Sequence, residues 1–322
     1  MPYCELYVDR AFADGLMGWQ PPPGFQASHT VNAFSAMEAN ALAERLHLDS
    51  IFYVLRPPEY AETGMGEDGQ VFYAKGLIQT PADLDKVVFP DPFDDATYAE
   101  AAAFAESKGD RAAILVTRTG MFSAMISIGI ENFSVALYEN RGFVETLLDR
   151  YIDWAVVLAE RVGRLGFDVY ASTDDVAFKT GPFFSPALFR EMVLPRYRRV
   201  ADAVSIPWVV HSDGNMLPLV DDLLTLGIAG LHPIEHGAMD IRAVKRRYGD
   251  RLCLLGNVDL DLLARGTPEQ VDAEVRGLIR DVAPGGGYIL TSGNSLTSYL
   301  RPDNVLAMSE AAQRYGRYPV GG

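Results

Sequence analysis

The stretch PWVVHSDGNMLPLVDDLLTLGIAGLH, residues 207–232, decides the fold. It contains two short apolar runs, PWVVH at 207–211 and IAGLH at 228–232, which are typical of buried β-strands. Between them, apolar residues recur at helical spacing from Met216 onward. A strand, a helix and a second strand in this order predict a βαβ unit with two parallel strands.

The same alternation runs along the whole chain and predicts eight strands. Eight strands separated by helices close a (β/α)8 barrel, and a length of 322 residues suits such a barrel with insertions. Ser185-Pro186 and Thr267-Pro268 support the helices, because each places a hydroxyl N-cap before a proline at the first helical position. We therefore predict an α/β TIM barrel that forms a single domain over residues 1–322. The strands are CELYV near 4–8, SIFYVL at 50–55, AILVT at 113–117, FDVYAS at 167–172, PWVVH at 207–211, IAGLH at 228–232, LCLLG at 252–256 and YILTS at 288–292.

Residues 56–96 interrupt this pattern. They are rich in proline, glycine and aspartate and contain the alternating run QVFYAKGLI. The run indicates a β-hairpin, so we expect an irregular excursion from the barrel that serves as a lid or substrate loop.

Composition excludes several classes of protein. Lys and Arg total 28 against 43 Asp and Glu, so the net charge is −15, the wrong sign for a nucleic-acid binder. The two cysteines, Cys4 and Cys253, provide neither a disulfide framework nor a thiolate zinc knuckle, which fits a reducing cytoplasm. With no signal-like N-terminus and no apolar run near the ~20 residues of a membrane span, we expect a soluble, cytoplasmic protein that inserts into no membrane.

Five consecutive predicted strands end in side chains that bind ligands or transfer protons. The carboxyl ends of the strands form the active-site face of a (β/α)8 barrel, so we expect these residues to meet at one mouth. They are Ser172, Thr173, Asp174 and Asp175; His211, Ser212, Asp213 and Asn215; His232, Glu235 and His236; Asn257 and Asp259; and Thr291, Ser292 and Asn294.

Three carboxylates are the candidate catalytic residues. Asp174 and Asp175 are adjacent, so on an extended segment one faces the barrel axis and is chemical, while the other points away and is structural. Glu235 and His236 should diverge for the same reason, and Glu235 is the stronger candidate of that pair. Since the sequence does not say which of the two aspartates faces the axis, Asp174, Asp175 and Glu235 all remain candidates for catalysis.

A second set of residues suggests ligand binding. The spacing His211-x-Asp213 presents both side chains on one face of an extended strand end, which suits a cation. Asn215, Asn257 and Ser292 end their strands at the same mouth and are candidates for cofactor binding. Each residue also has an ordinary alternative: Asp213 and Asn215 could cap the following helix, and His211 could be a hydrogen-bonded structural histidine.

A series of motifs in fixed order runs through roughly residues 110–316 and carries a family resemblance. The motifs are DDVAFKTGPFFSP, LPRYRRV, VVHSDGN, LHPIEHGAMD, RYGDRLCLLGNVD and GGGYILTSGNS. Together they resemble the uroporphyrinogen decarboxylase superfamily. The resemblance implies a (β/α)8 barrel, a homodimer and one of two chemistries, tetrapyrrole decarboxylation or methyl transfer to or from corrinoids.

The decarboxylase alternative lacks its substrate-binding segment. True uroporphyrinogen decarboxylases carry an N-terminal Met-Arg-Gln-Ala-Gly-Arg segment whose arginines bind an octa-acidic substrate. In this chain the nearest N-terminal basic residue is Arg10, in VDRAFADG. We also expect an acidic mouth to repel carboxylates.

The sequence matches the methyltransferase members of the superfamily only in part. Coenzyme-M-type members hold zinc through His-x-Cys and a later cysteine. Here His211 matches, but Asp213 stands in place of the first cysteine and Ser292 or a neighbour in place of the second. What remains resembles an HSDG subgroup that removes methyl groups from ether-like small donors and passes them to a corrinoid protein. The chain has no Asp-x-His-x-x-Gly motif around its five histidines, so a separate corrinoid-carrying partner is implied.

The implied reaction needs stabilisation of the departing atom as Co(I) attacks the methyl carbon. His211 with Glu235, joined by Asp213, would hold a Zn²⁺ with an open position for that atom. In a metal-free version, Asp175 or Glu235 with a raised pKa protonates it. Decarboxylation of a small acidic or tetrapyrrole substrate and a non-catalytic ligand-binding barrel are the alternatives.

Overall fold

Parallel pairing joins seven strands into one curled sheet in the computed structural model, which describes residues 1–22, 32–66 and 71–318. The described residues form eleven strands in all, seven in this sheet and four in two small hairpins: β1 Ser50–Val54, β2 Ala61–Met65, β3 Val71–Gly76, β4 Ala112–Thr117, β5 Val169–Thr173, β6 Ala177–Phe178, β7 Gly181–Pro182, β8 Trp208–His211, β9 Gly230–His232, β10 Cys253–Val258 and β11 Tyr288–Ser292. The order across the large sheet is β1, β4, β5, β8, β9, β10, β11. These strands coincide with seven of the eight predicted ones, so an α/β fold built on a parallel sheet is confirmed.

Helices connect the sheet strands in the described part of the chain. They are α1 Arg10–Met17, α2 Ala36–Arg45, α3 Ala96–Glu106, α4 Met121–Ile128, α5 Ile130–Glu139, α6 Arg141–Val162, α7 Pro186–Leu188, α8 Leu194–Ala203, α9 Leu217–Leu224, α10 Ile241–Tyr248, α11 Leu260–Arg265, α12 Pro268–Val282 and α13 Pro302–Tyr315. Both predicted caps are confirmed. The Ser185 side chain accepts a hydrogen bond from Leu188 N at the start of α7, and Thr267 forms a capping box with Gln270 at the start of α12.

The structure differs from the prediction at the first strand, CELYV at residues 4–8. Tyr3 makes an isolated parallel bridge to Leu290 on β11, and its carbonyl accepts a 2.8 Å hydrogen bond from Asp49 N just before β1. The Asp49 carboxylate accepts the Tyr3 N–H at 2.8 Å, so a side chain takes a bond that a strand ladder would use. The segment lies between the two edges of the sheet, but the described residues form no continuous eighth strand.

Glu5, in the same segment, is a fully buried carboxyl group. Its Oε1 accepts a hydrogen bond from Ser292 N at 2.8 Å and its Oε2 accepts one from Ser292 Oγ at 2.7 Å. Burial raises the pKa of Glu5 to about 8, although both bonds from Ser292 lower it. Because the folded pKa lies above the unfolded one, folding takes up a proton, and the resulting stability is lost as the pH rises towards 8.

We expect Glu5→Gln to remove this pH dependence. Between pH 5 and pH 9, the free energy of unfolding of the wild-type chain should fall by about 3 to 4 kcal/mol relative to the variant, because glutamine imitates the protonated acid. Urea denaturation at several pH values measures the difference. Glu106→Gln, at an exposed position, is the matched control and should follow the wild type. Equal pH slopes for the wild type and Glu5→Gln would show that Glu5 is ionised in the folded state.

The excursion predicted over residues 56–96 contains the expected hairpin. Strands β2 and β3 pair in antiparallel fashion, with a register shift between Ala61 and Thr63. Residues 67–70, between these two strands, lie outside the described residues. A 3₁₀ helix, Pro81–Lys86, follows the hairpin and leads towards α3. The excursion therefore brings additional side chains towards the carboxyl ends of β1 and β4.

No single helix among the described residues is both long and apolar enough to cross a bilayer. The helices α4 and α5, which meet at a bend of 100°, satisfy the length and composition requirements only when they are taken together.

Candidate functional site

The side chains of Asp175, His211 and Asp213 meet beyond the carboxyl ends of β5 and β8. The Nε2 atom of His211 lies 3.6 Å from Asp175 Oδ1 and 3.9 Å from Asp213 Oδ1. One ligand atom from each of the three residues lies within 4.8 Å of the other two. The strands β5 and β8 are neighbours, with Thr173 paired to His211, so the two segments leave the sheet side by side. We call these three residues the Asp–His–Asp cluster.

The turn after β8 orients the carboxylates at the mouth. Gly214 has a φ of +86°, and a Cβ at this position would lie 2.6 Å from the backbone of Ala177, so the turn requires glycine. In this conformation Asp213 N donates a 2.9 Å hydrogen bond to Asp175 Oδ1. Gly214 N donates a 2.7 Å hydrogen bond to Glu235 Oε2. The backbone thereby holds one carboxylate inside the cluster and the other beside it.

His211 is buried and pairs with a second buried histidine. Burial lowers the pKa of His211, although the charge of Asp175 opposes this, so the imidazole is neutral at pH 7. Its Nδ1 lies 2.6 Å from Nδ1 of His232, and one proton serves this contact. When His211 carries that proton, its Nε2 presents a lone pair to the two aspartates. A metal ion requires this tautomer.

Asp213 has the most perturbed carboxyl group of the cluster. Its Oδ2 accepts a 2.6 Å hydrogen bond from Asn294 Nδ2, whereas its Oδ1 is buried without a hydrogen-bond partner in the described residues. Burial and the charges of Asp175 and Glu235 raise the pKa of Asp213 to about 8. An unpartnered buried oxygen costs about 1 to 3 kcal/mol, and a proton or a cation at Oδ1 would remove that cost.

The Asp–His–Asp cluster fits a metal ion by donor type and spacing. Imidazole nitrogen and carboxylate oxygen are both zinc ligands, and in a tetrahedral site with bonds of about 2.1 Å the ligand atoms lie about 3.4 Å apart. The separations of 3.6 and 3.9 Å around His211 Nε2 are close to this value. With three protein ligands, a tetrahedral ion would keep one open position, as in catalytic zinc sites.

Asp174 lies next to the cluster in sequence but has a different set of contacts. Its side chain is buried and its carboxylate accepts hydrogen bonds from Thr119 N, Thr119 Oγ1, Gly120 N and Phe122 N. These donors belong to the first turn of α4 and the residues before it. Asp174 therefore anchors the start of α4 to β5, while Asp175 faces the cavity.

Glu235, proposed from the sequence as both a catalytic residue and a metal ligand, lies beside the cluster. Its Oε2 accepts the Gly214 N–H, and its Oε1 lies 3.3 Å from Lys179 Nζ. The structure brings His211 and Asp213 together with Asp175, and the charge of Glu235 acts on Asp213.

The three predicted cofactor-binding residues all contact protein groups. Asn215 Oδ1 accepts a 3.1 Å hydrogen bond from Leu217 N at the start of α9. Asn257 is buried and its Nδ2 donates a 2.7 Å hydrogen bond to Ile234 O. Ser292 donates hydrogen bonds to the buried Glu5 carboxylate, and none of the three residues lines the cavity beside the Asp–His–Asp cluster.

A cavity of about 290 Å³ opens beside the cluster. Its wall combines aromatic, acidic and basic side chains from both ends of the chain. The lining residues are Leu6, Tyr7, Asp9, Arg56, Tyr73, Arg118, Phe122, Thr173, Asp175, His211, Asp213, Leu260, Asn294, Ser295, Thr297 and Tyr299.

Two of these residues, Arg56 and Arg118, correct the expectation of a purely acidic mouth. Both follow strands that the sequence predicts, Arg56 after SIFYVL and Arg118 directly after AILVT. The strand-end rule that selects His211 therefore selects these arginines as well. Arg118 is only 6% exposed, and burial, followed by the charge of Arg56, lowers its pKa to about 9. Two cationic groups thus face the same cavity as the acidic cluster.

Comparison with known proteins gives concordant results. A family model described as Uroporphyrinogen decarboxylase (URO-D) matches residues 50–315. A uroporphyrinogen decarboxylase of Methylococcus capsulatus is 24% identical over 289 residues, covering 84% of this chain and 81% of its own length. A protein of the same name from Pseudomonas putida is 25% identical and covers 97% and 90%, respectively. A solved methyltransferase from Methanosarcina mazei superposes with a TM-score of 0.78 at 21% identity, covers 98% of this chain and 94% of its own, and so shares its fold.

Proposed function

The chain belongs to the uroporphyrinogen decarboxylase family, a family of enzymes, and within that family we propose that it is a methyltransferase. It would move a methyl group from a small ether-like donor to a corrinoid carried by a separate protein. The observation that carries the proposal is the Asp–His–Asp cluster at the cavity, with the unpartnered Oδ1 of Asp213. The fold shared with a methyltransferase supports it.

The cluster suits the difficult part of such a transfer. When the methyl carbon leaves its donor, the electron pair of the broken bond stays on the departing atom, which needs an acid. A Zn²⁺ held by His211 Nε2, Asp175 Oδ1 and Asp213 Oδ1 would supply a Lewis acid to that atom. Without a metal, Asp213 carries a proton at pH 7 and donates it from Oδ1 to the departing atom.

The size of the cavity supports a small donor. Small-molecule sites occupy roughly 300 to 1,000 Å³, and the cavity of about 290 Å³ lies at the lower limit of this range. Such a volume suits one compact molecule and disfavours a tetrapyrrole. The acceptor corrinoid would approach from outside on its own carrier protein.

Decarboxylation of a small acidic substrate is the second candidate. Arg56 and Arg118 favour it, because guanidinium groups bind carboxylates, and the relatives described above are named decarboxylases. A decarboxylase would release CO₂ from its substrate and would need no corrinoid acceptor.

Elemental analysis of the purified chain after equilibration with buffered Zn²⁺ tests the metal. We expect one zinc ion per chain in the wild type and none in His211→Ala, because that variant removes the nitrogen ligand. His236→Ala is the matched control, since its half-exposed imidazole lies 3.4 Å from Asp259, outside the cluster. Zinc retained by His211→Ala would contradict this ligand set.

Turnover tests the reaction. With free cob(I)alamin as acceptor and a panel of small methyl ethers, we expect the demethylated product from the wild type and from His236→Ala. His211→Ala should be at least about 100-fold slower. Release of CO₂ from small acids without cob(I)alamin, together with no demethylation, would show that the reaction is decarboxylation and not methyl transfer.

A further inference from the structure

Arg118 is a buried cation held in a fixed orientation on the cavity wall. Its guanidinium carbon lies 4.5 Å from the centre of the Phe122 ring and 5.9 Å from that of Tyr73. The two rings pack edge to face, with centroids 6.4 Å apart. Phe122 is itself fixed through its backbone N–H, which donates to Asp174. The aromatic contacts hold the plane of the guanidinium and leave its edge for hydrogen bonding.

The hydrogen-bonding capacity of Arg118 is only partly used. Glu59 forms an ion pair with it, but the same carboxylate also accepts hydrogen bonds from Tyr73 Oη and from Ser123 Oγ, the latter at 3.2 Å. The Nε of Arg118 is buried and has no hydrogen-bond partner in the part of the chain that the structure describes. A buried N–H without an acceptor is unfavourable, and an acceptor that reached this N–H would remove that cost.

Arg56 adds a second guanidinium to the same cavity. Net charge alone does not decide the ligand, because Asp9, Asp175 and Asp213 also line the cavity and Glu59 is paired with Arg118. The unpartnered Nε of Arg118 and the planar shape of both guanidinium groups are more specific. A planar carboxylate offers two acceptor oxygens in the geometry that a guanidinium edge binds.

We propose that Arg118 and Arg56 bind the carboxylate end of the methyl donor, so that its methyl-bearing end reaches the Asp–His–Asp cluster. The substrate class is then a small methyl ether that carries a carboxylate. This inference rests on the proposed methyl transfer, which gives the methyl-bearing end of the substrate its role at the cluster. The aromatic side chains of Tyr7, Tyr73 and Phe122 line the same cavity and would pack against the body of the molecule.

Calorimetric titration with matched acids and amides tests the proposal without turnover. The probes are 4-methoxybenzoate against 4-methoxybenzamide, and methoxyacetate against methoxyacetamide. We expect the wild-type chain to bind at least one acid ten times more tightly than its amide, and Arg118→Gln to lose this preference. Arg118→Lys, which keeps the charge, should retain part of it and provides a second variant if Arg118→Gln does not fold.

Two further variants separate this inference from the proposed reaction. Arg161→Gln is the matched control, because Arg161 is also paired with a carboxylate, Asp95, and lies over an aromatic ring, Tyr98, but is not part of the cavity wall. It should keep the preference for the acid. His211→Ala should keep it too, because the carboxylate does not bind at the cluster. Equal binding of acid and amide, or no binding of either acid, would overturn the proposal. A preserved preference without any demethylation would instead refute the methyl transfer alone.

Discussion

Replacement of Asp174 by alanine should destabilise the fold, whereas the same change at the adjacent Asp175 should remove activity and leave the fold intact. The Asp174 carboxylate is buried and accepts hydrogen bonds from four donors at the start of α4. Asp174→Ala leaves these donors buried without an acceptor, so we expect a loss of about 3 to 5 kcal/mol in the free energy of unfolding.

Asp175 has fewer structural contacts. Its side chain is 28% exposed, and in the cluster its Oδ1 accepts the Asp213 N–H. We expect Asp175→Ala to change the free energy of unfolding by less than about 1 kcal/mol, because it removes one hydrogen bond of a partly exposed side chain. The variant should lose bound zinc and at least about 100-fold in turnover, since it removes one of three ligands.

Denaturation and elemental analysis of the two variants, made side by side, check this contrast. Asp174→Asn is an additional control, because its amide retains one acceptor oxygen and should recover part of the stability. A stable Asp174→Ala that has lost zinc, or an unfolded Asp175→Ala, would reverse the assignment of the two aspartates.

Much of the fold follows from sequence pattern alone. Seven strands lie where the apolar runs place them, because parallel strands covered on both faces are uniformly apolar and easily recognised. The segment at residues 4–8 has the same composition but forms no strand. The carboxylates of Asp49 and Glu5 accept hydrogen bonds from Tyr3 N and Ser292 N, two backbone donors that a strand ladder would use. Such long-range bonds leave no trace in local composition.

The site is predictable only in part. His211 and Asp213 come together with Asp175 because β5 and β8 are neighbours in the sheet, which the barrel order anticipates. Sequence spacing did not distinguish Asp175 from Glu235 as the third member, because the turn at Gly214 decides which carboxylate enters the cluster.

The two arginines also reach the cavity from the ends of strands, but a different reason makes them hard to predict from the sequence. Arg56 and Arg118 also stand at strand ends, but a guanidinium group is neither a metal ligand nor an acid at neutral pH, so their residue type does not mark them as members of such a site. The contact of Arg118 with Glu59 depends on the excursion after β1, whose path over the mouth is not encoded in any local motif.

The apparent affinity for zinc should rise by about 50-fold between pH 6 and pH 8 and level off above that. Burial and the neighbouring carboxylates raise the pKa of Asp213 to about 8, so Asp213 is protonated at pH 6. A metal ligand must be deprotonated, and binding therefore releases one proton from Asp213, which gives a slope of about tenfold per pH unit below the pKa. His211 adds less to this slope than Asp213, because burial lowers its pKa.

Competition with a zinc chelator of known pH dependence measures this slope, and Asp213→Asn is the control. The asparagine has no proton to release, so its zinc affinity should be weaker and independent of pH over the same range. Glu235→Gln should move the pH at which zinc affinity levels off to a lower value, because the charge of Glu235 is one cause of the raised pKa of Asp213.

The sign of the pH effect on turnover separates the two forms of the mechanism. If zinc is the acid, turnover at limiting zinc rises towards pH 8. If the Asp213 proton is the acid, turnover falls as the pH passes 8. A zinc affinity that does not change with pH would also show that Asp213 is not a ligand.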